Sequence, residues 1–231
     1  MQLEFWLLFL CVQVIPHVQS AKKTWTVSVP PRIPALQSCC VVIPCSYSYP
    51  DANRKGIQHW WRGFWKKGNQ IISTNLPHRE LSKEYRQRTM FLGDLRSRNC
   101  TMLLDGVRST DTGPFYFAIE LSLGMRFSYI KNAVTIDIIR EPKPPSLSVQ
   151  VSDKITASCS VTHSCPAMPP KLSWNHRGSI TQRSKKRNEW KWEMVSTVTF
   201  TPLLSDFNKT LTCTVKYRGG KVAQNSTIIH I

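Results

Sequence analysis

The sequence predicts an all-β chain folded as two β-sandwiches in tandem. Three observations carry this. A Cys…Trp…Cys pattern occurs twice, as Cys45, Trp61, Cys100 and as Cys159, Trp174, Cys213, with similar spacing. The runs between are short and rich in β-branched and aromatic residues, and no helical period lasts more than two turns. Glu141-Pro142-Lys143-Pro144-Pro145 places three prolines in four positions, which a paired strand cannot continue through. Cys…Trp…Cys at this spacing is the signal of an immunoglobulin-like sandwich, whose Trp packs on a central disulfide.

The 231 residues divide accordingly. Residues 1–20 read as a signal peptide, with an apolar run Phe5–Val14 and small residues Val18 and Ser20 before a mature start near Ala21. Residues 21–141 are long enough for a variable-type (V-set) sandwich. Residues 142–231 are shorter and closer to a constant type. Eight cysteines and three N-x-[ST] sequons, at Asn99, Asn208 and Asn225, agree with an extracellular location. No later segment has the ~18 apolar residues of a membrane span. The expectation is a secreted protein, or the plasma-membrane ectodomain of a truncated receptor.

In the first domain, strands are expected at Trp25–Val29, Cys40–Tyr47, Ile57–Phe64, Asn99–Leu104, Phe115–Glu120 and Val134–Ile139. In the second they are expected at Ile155–Val161, Lys171–Trp174, Ser196–Thr201 and Thr210–Tyr217. The stretch Asp111-Thr-Gly-Pro-Phe-Tyr-Phe117-Ala118 is a turn feeding the sixth strand (F) of the first sandwich. An immunoglobulin domain carries its second cysteine where Phe117 stands, and its corner tyrosine where Phe115 stands.

The thiols must therefore pair differently. Cys11 leaves with the signal peptide, and an odd seven remain. Cys159–Cys213 crosses the second sandwich. In the first, Cys45 on strand B finds Cys100 on strand E, within one sheet, and Phe117 fills the vacated space. Cys40–Cys165 would staple the two domains, with Cys39 left over; Cys39–Cys165 is the alternative. No His pair accompanies these cysteines at ligand spacing, so no metal is expected.

Several stretches resemble the Siglecs, the sialic-acid-binding Ig-like lectins. They are Trp25-Thr-Val-Ser-Val-Pro30, Cys40-Val-Val-Ile-Pro-Cys45, Ser48-Tyr-Pro50, Phe91-Leu-Gly-Asp94, Arg98-Asn-Cys-Thr101 and Cys165-Pro…Pro170-Lys-Leu-Ser-Trp174. The resemblance spans both domains. It implies a V-set domain followed by a C2-set domain, and it gives the same three disulfides. It also implies a lectin site, in which an arginine on strand F forks onto the sialate carboxylate while aromatics on strands A and G pack on the sugar. Trp25 matches the strand A aromatic, and Phe127 or Tyr129 the one on strand G. The arginine position is Ala118. Arg126 is the candidate replacement.

The implied partners are sialylated glycans on glycoproteins or gangliosides. The alternative is an adhesion module that binds a protein partner, or itself, with sialic acid recognition lost. The net charge of +17 suits anionic partners, and the extracellular signals exclude nucleic acid. Arg183-Ser-Lys-Lys-Arg187 reads as a basic hairpin tip that would be solvated or would bind sulfated glycans or ganglioside head groups. Arg88 and Asp111 are placed as a structural salt bridge. Among the crowded Trp60, Trp61 and Trp65, Trp61 is expected in the core, leaving the others for a contact surface. His59, His78, His163, His176 and His230 have no nucleophile or carboxylate at a recognisable spacing, and no phosphate-cradling Gly loop is present; neither catalysis nor a cofactor is expected.

Overall fold

The computed structural model describes residues 24–50, 61–77 and 81–230. The expected signal peptide, Cys11, His59, His78, Trp60 and the start of the expected Ile57–Phe64 strand lie outside the described residues. The fold is two immunoglobulin-like sandwiches in series. The first contains β1 (Thr26–Ser28), β2 (Arg32–Leu36), β3 (Val41–Ile43), β4 (Ser46–Ser48), β5 (Arg62–Lys67), β6 (Gln70–Thr74), β7 (Thr89–Phe91), β8 (Met102–Leu104), β9 (Tyr116–Glu120), β10 (Arg126–Ser128) and β11 (Thr135–Ile139). One sheet pairs β3 with β8 and β8 with β7; β1 joins through β4, which bridges to strand E at Ser46–Asn99. The other runs β10–β9–β5–β6, with β11 and β2 attached through a Phe115–Val134 bridge.

Sequence periodicity places most of these strands but misplaces details. The expected Cys40–Tyr47 strand is two strands, because Pro44 has no N–H to give the ladder. The expected Trp25–Val29 strand is followed by an unexpected β2, which pairs in parallel with β11 from Arg32 opposite Thr135 to Leu36 opposite Ile139. The expected strand ending at Phe64 runs on to Lys67, and β6 and β7 had no clear alternation to announce them.

The second sandwich has β12 (Ser146–Val151), β13 (Ile155–His163), β14 (Lys171–Trp174), β15 (Ser179–Lys186), β16 (Trp192–Phe200), β17 (Thr210–Lys216) and β18 (Val222–Ile228). One sheet is ordered β12–β13–β16–β15 and the other β14–β17–β18. Inward residues of β13 and β16 alternate strictly, with Ile155, Ala157, Cys159 and Val198 fully buried. Trp174 packs against the clusters on both sides of it and donates from its indole to Ser196 Oγ at 3.0 Å. Cys159 and Cys213 are bonded across this core. The basic run at Arg183–Arg187 refines an expectation: Arg183–Lys186 end edge strand β15, exposed along its whole length, and only Arg187 enters the turn to β16. An edge strand with both faces in water has no apolar alternation, so it reads as a loop.

The first core corrects a second expectation. Trp65, not Trp61, is the central tryptophan. Trp65 is fully buried and donates to the Cys100 carbonyl at 2.7 Å. Trp61 is only partly buried at the edge of the cluster, beneath the Arg96 guanidinium at 5.9 Å. Phe117 is 1% exposed and lies 6.0 Å from the Trp65 ring, 5.4 Å from Tyr47 and 6.1 Å from Tyr129. Cys45 is bonded to Cys100 within its own sheet, so this aromatic cluster, and no covalent bond, fills the space between the sheets. Fully burying one such side chain is worth about 1.5–3 kcal/mol. Phe115 is also fully buried, edge-on to Tyr85 at 6.1 Å, and its backbone exchanges two hydrogen bonds with Val134. The corner is fixed without a phenol hydroxyl.

The joint between the domains is closely built. Cys40 is bonded to Cys165, and Val42 N–H donates to the Ser164 carbonyl at 2.9 Å. Arg218 forks onto the Asp105 carboxylate at 2.8–3.2 Å and holds its pKa below the usual range. Gly219 needs its missing Cβ, which would sit 2.2 Å from the Ser38 carbonyl, and its φ is +85°. Cys39 is a buried thiol that donates to the Arg218 carbonyl at 2.9 Å; burial pushes its pKa up to about 11, so it is unreactive.

Candidate functional site

The two faces of β5, β9 and β10 follow from register. Gly63, Trp65, Phe117 and Ile119 point into the core. Arg62, Phe64, Ala118, Glu120, Arg126 and Ser128 alternate with them and belong to the outer face. Two rows result. Phe64, Ala118 and Ser128 lie opposite one another, and so do Arg62, Glu120 and Arg126. Directly opposed residues have Cβ atoms about 5 Å apart, and diagonal ones about 7–8 Å.

Ala118 is 5% exposed, level with Phe64, which is also 5% exposed. This row is an apolar floor with Ser128 exposed at its rim. Arg126 is exposed on the same face, diagonal to Ala118, and makes no ion pair among the described residues. Its directly opposed neighbour is Glu120, which is also opposed by Arg62. An incoming carboxylate would share Arg126 with an acidic side chain already present.

The expected aromatics behave differently from one another. Trp25 and Phe127 stack on each other, with centroids 5.1 Å apart and planes 7° apart. Phe127 stays 38% exposed, so the pair presents one apolar ledge at the end of the sandwich. Tyr129 is not available to a ligand: it is 2% exposed, stacks on Phe117 and donates its hydroxyl to the Ser48 carbonyl at 2.9 Å. Sequence reasoning missed Arg62 and Glu120. Glu120 shares parity with Ala118 within the expected Phe115–Glu120 strand, which was the available signal; Arg62 joins them only through the β5–β9 register.

The sequons differ in setting. Asn99 and Asn208 are exposed. Asn225 is partly buried and donates its amide to the Pro145 carbonyl at 2.8 Å, across the start of the second domain. Arg88 and Asp111 form an ion pair in which the Asp111 side chain is fully buried; Asp111 also accepts from Arg108 N–H at 2.7 Å. Among the described residues no group of His, Cys, Asp and Glu is placed to hold a metal ion, and no helix is long and apolar enough to cross a membrane.

Fold and disulfide pattern together define a protein of the immunoglobulin class. Comparison with known proteins narrows this. The family model for the CD80-like C2-set immunoglobulin domain matches residues 139–224. Sialic acid-binding Ig-like lectin 5 of Homo sapiens is 27% identical over 219 residues, covering 90% of this chain and 38% of that protein. Myelin-associated glycoprotein of Homo sapiens is 29% identical over 189 residues, covering 77% of this chain and 30% of that protein. Sialic acid-binding Ig-like lectin 12 of Mus musculus is 26% identical over 226 residues, covering 91% and 46%. A bovine butyrophilin crystal structure matches with a TM-score of 0.39 and 18% identity, covering 90% of this chain and 99% of that one, a likeness too distant to add to the fold. Over most of its length the chain is thus similar to the sialic acid-binding Ig-like lectins and to myelin-associated glycoprotein, and it spans between 30% and 46% of the length of these three relatives.

Proposed function

We propose that this chain is the recognition end of an extracellular adhesion protein, divided into a V-set domain at 21–141 and a C2-set domain at 142–231. Its partner is a protein or glycoprotein surface met by the outer face of β5, β9 and β10. The observation that carries this reading is Ala118, opposite Phe64 and like it buried, where the resemblance calls for a carboxylate-binding arginine. A methyl group makes no hydrogen bond. Removing a buried charge-assisted contact of that kind costs on the order of 2–5 kcal/mol. The apolar floor, flanked by Arg62, Glu120 and Arg126, has instead the mixed character of a protein-binding face.

One observation favours a second reading, in which sialylated glycans are bound through Arg126. Arg126 is exposed and diagonal to Ala118, and it directly precedes Phe127 of the ledge in the chain. The names of two relatives above carry sialic acid binding as their own property.

The test is a sialylated glycan array and a cell-binding assay with residues 21–231, before and after sialidase, each repeated with Arg126→Ala. Cell binding that survives sialidase, with no array signal, supports the first reading. Array binding that both sialidase and Arg126→Ala abolish overturns it in favour of the second.

A further inference from the structure

The first-domain face leaves unused the outer face of the β12–β13–β16–β15 sheet on the second domain. The register aligns Ser146 with Ser160, Val195 and Arg183, and Ser148 with Ser158, Thr197 and Thr181. Its floor is therefore paved with hydroxyls; Ser158 and Thr197 hydrogen-bond to each other at 2.9 Å. Short serines beside long edge cations leave a shallow hollow of about 550 Å³, walled by Arg183, Lys185 and Arg187; Val195 and Glu193, the latter opposite Lys185, also line it.

Arg183 and Lys185 share one face of β15 because they alternate, the strand spaces them by ~6.6 Å, and Arg187 follows just past the strand's end. The outer edge of β15 pairs with no strand among the described residues. Arg187 is paired with Glu193, whereas Arg183 and Lys185 make no ion pair among the described residues. Residues 142–231 contain 13 Lys and Arg against four Asp and Glu.

We propose that this face binds a sulfated glycan chain. Arg183 and Lys185 pair with successive sulfate esters, and the serine hydroxyls meet sugar and sulfate oxygens. A regular cation spacing suits a repeating anion. The aligned rows contain no aromatic on which a neutral sugar would stack, and no apolar anchor of the kind that centres a protein interface. The site is independent of sialic acid, so its failure and that of the first-domain reading are separable.

The test is titration of residues 21–231 with a size-defined heparin oligosaccharide, which contains no sialic acid. Raising salt from 50 to 200 mM is expected to weaken binding by roughly tenfold, as two released counterions require. Arg183→Ser with Lys185→Ser is expected to weaken binding at the lower salt by about tenfold or more, with melting unchanged because both side chains are exposed. Lys154→Ser with Lys209→Ser, equal in charge and placed elsewhere on the domain, should cost no more than about twofold. Equal losses from both pairs, no binding by the unaltered chain, retention of a desulfated oligosaccharide, or equal binding of a polyglutamate peptide would each overturn the proposal.

Discussion

Gly63 lies beneath the ring of Phe117: a Cβ built on Gly63 would come 3.0 Å from Phe117 Cε2 and 3.1 Å from both Leu95 and Phe91. The absent side chain at 63 and the large one at 117 are therefore one packing solution. Gly63→Ala should destabilise the first domain by about 1–3 kcal/mol through overpacking. Phe117→Ala should cost about 3–5 kcal/mol through the cavity it leaves. Chemical denaturation of each variant checks both, and additive losses in the double variant would contradict the coupling.

Asp111 fixes the turn before β9 through a buried pair with Arg88. Asp111→Ala leaves a guanidinium enclosed without its anion and should cost about 3–5 kcal/mol. Replacing both residues by apolar ones of similar volume should recover much of that loss. Melting temperatures of the two variants decide it.

His163 ends β13 beside Cys165, whose N–H donates to its Nδ1 at 3.3 Å, while its Nε2 is buried without a partner. Burial lowers its pKa from 6.5 to about 4. The unfolded chain thus takes up the proton first as pH falls. Stability should be constant above pH 6.5, decline between 6.5 and about 4, and level off below. The slope should stay under about 1.4 kcal/mol per pH unit, because one group can differ by at most one proton between the two states. His163→Gln should flatten that window, which denaturation across pH will show.

Cys40→Ser with Cys165→Ser removes the covalent tie but leaves the Arg218–Asp105 fork and the Lys221–Glu141 pair at 3.0 Å. Each sandwich keeps its own disulfide and core. The expected result is little change in either domain's unfolding but a wider spread of interdomain angles, measured by small-angle scattering. A collapse of the first domain's stability would contradict this separation.

Sandwich architecture was legible because period-2 alternation and paired cysteines report inward faces directly. The choice between Trp61 and Trp65 was not. The two differ by four positions and have the same parity, so alternation sends both toward the core. Only the actual path of β5 brings residue 65 over Cys100. The buried setting of Tyr129 was likewise hidden, since a tyrosine on a ligand face and one hydrogen-bonded to a distant carbonyl are the same letter. Ala118 was legible as a missing arginine. What surrounds it, Phe64 on one side and the Arg62–Glu120–Arg126 row beyond, depends on register between strands far apart in the chain.

The first strand changes sheets. β1 pairs with β4 on one side of the sandwich, Pro30 and Pro31 interrupt it, and β2 pairs with β11 on the other, where Arg32 forks onto Asp137 at 2.5 and 3.0 Å. The remaining tie between the sheets is thus a five-pair hydrogen-bonded ladder and not a sulfur bridge. Separation of the two sheets is therefore opposed by hydrogen bonds and by the apolar packing around Phe117 and Trp65, and reduction of Cys45–Cys100 would leave both of these in place.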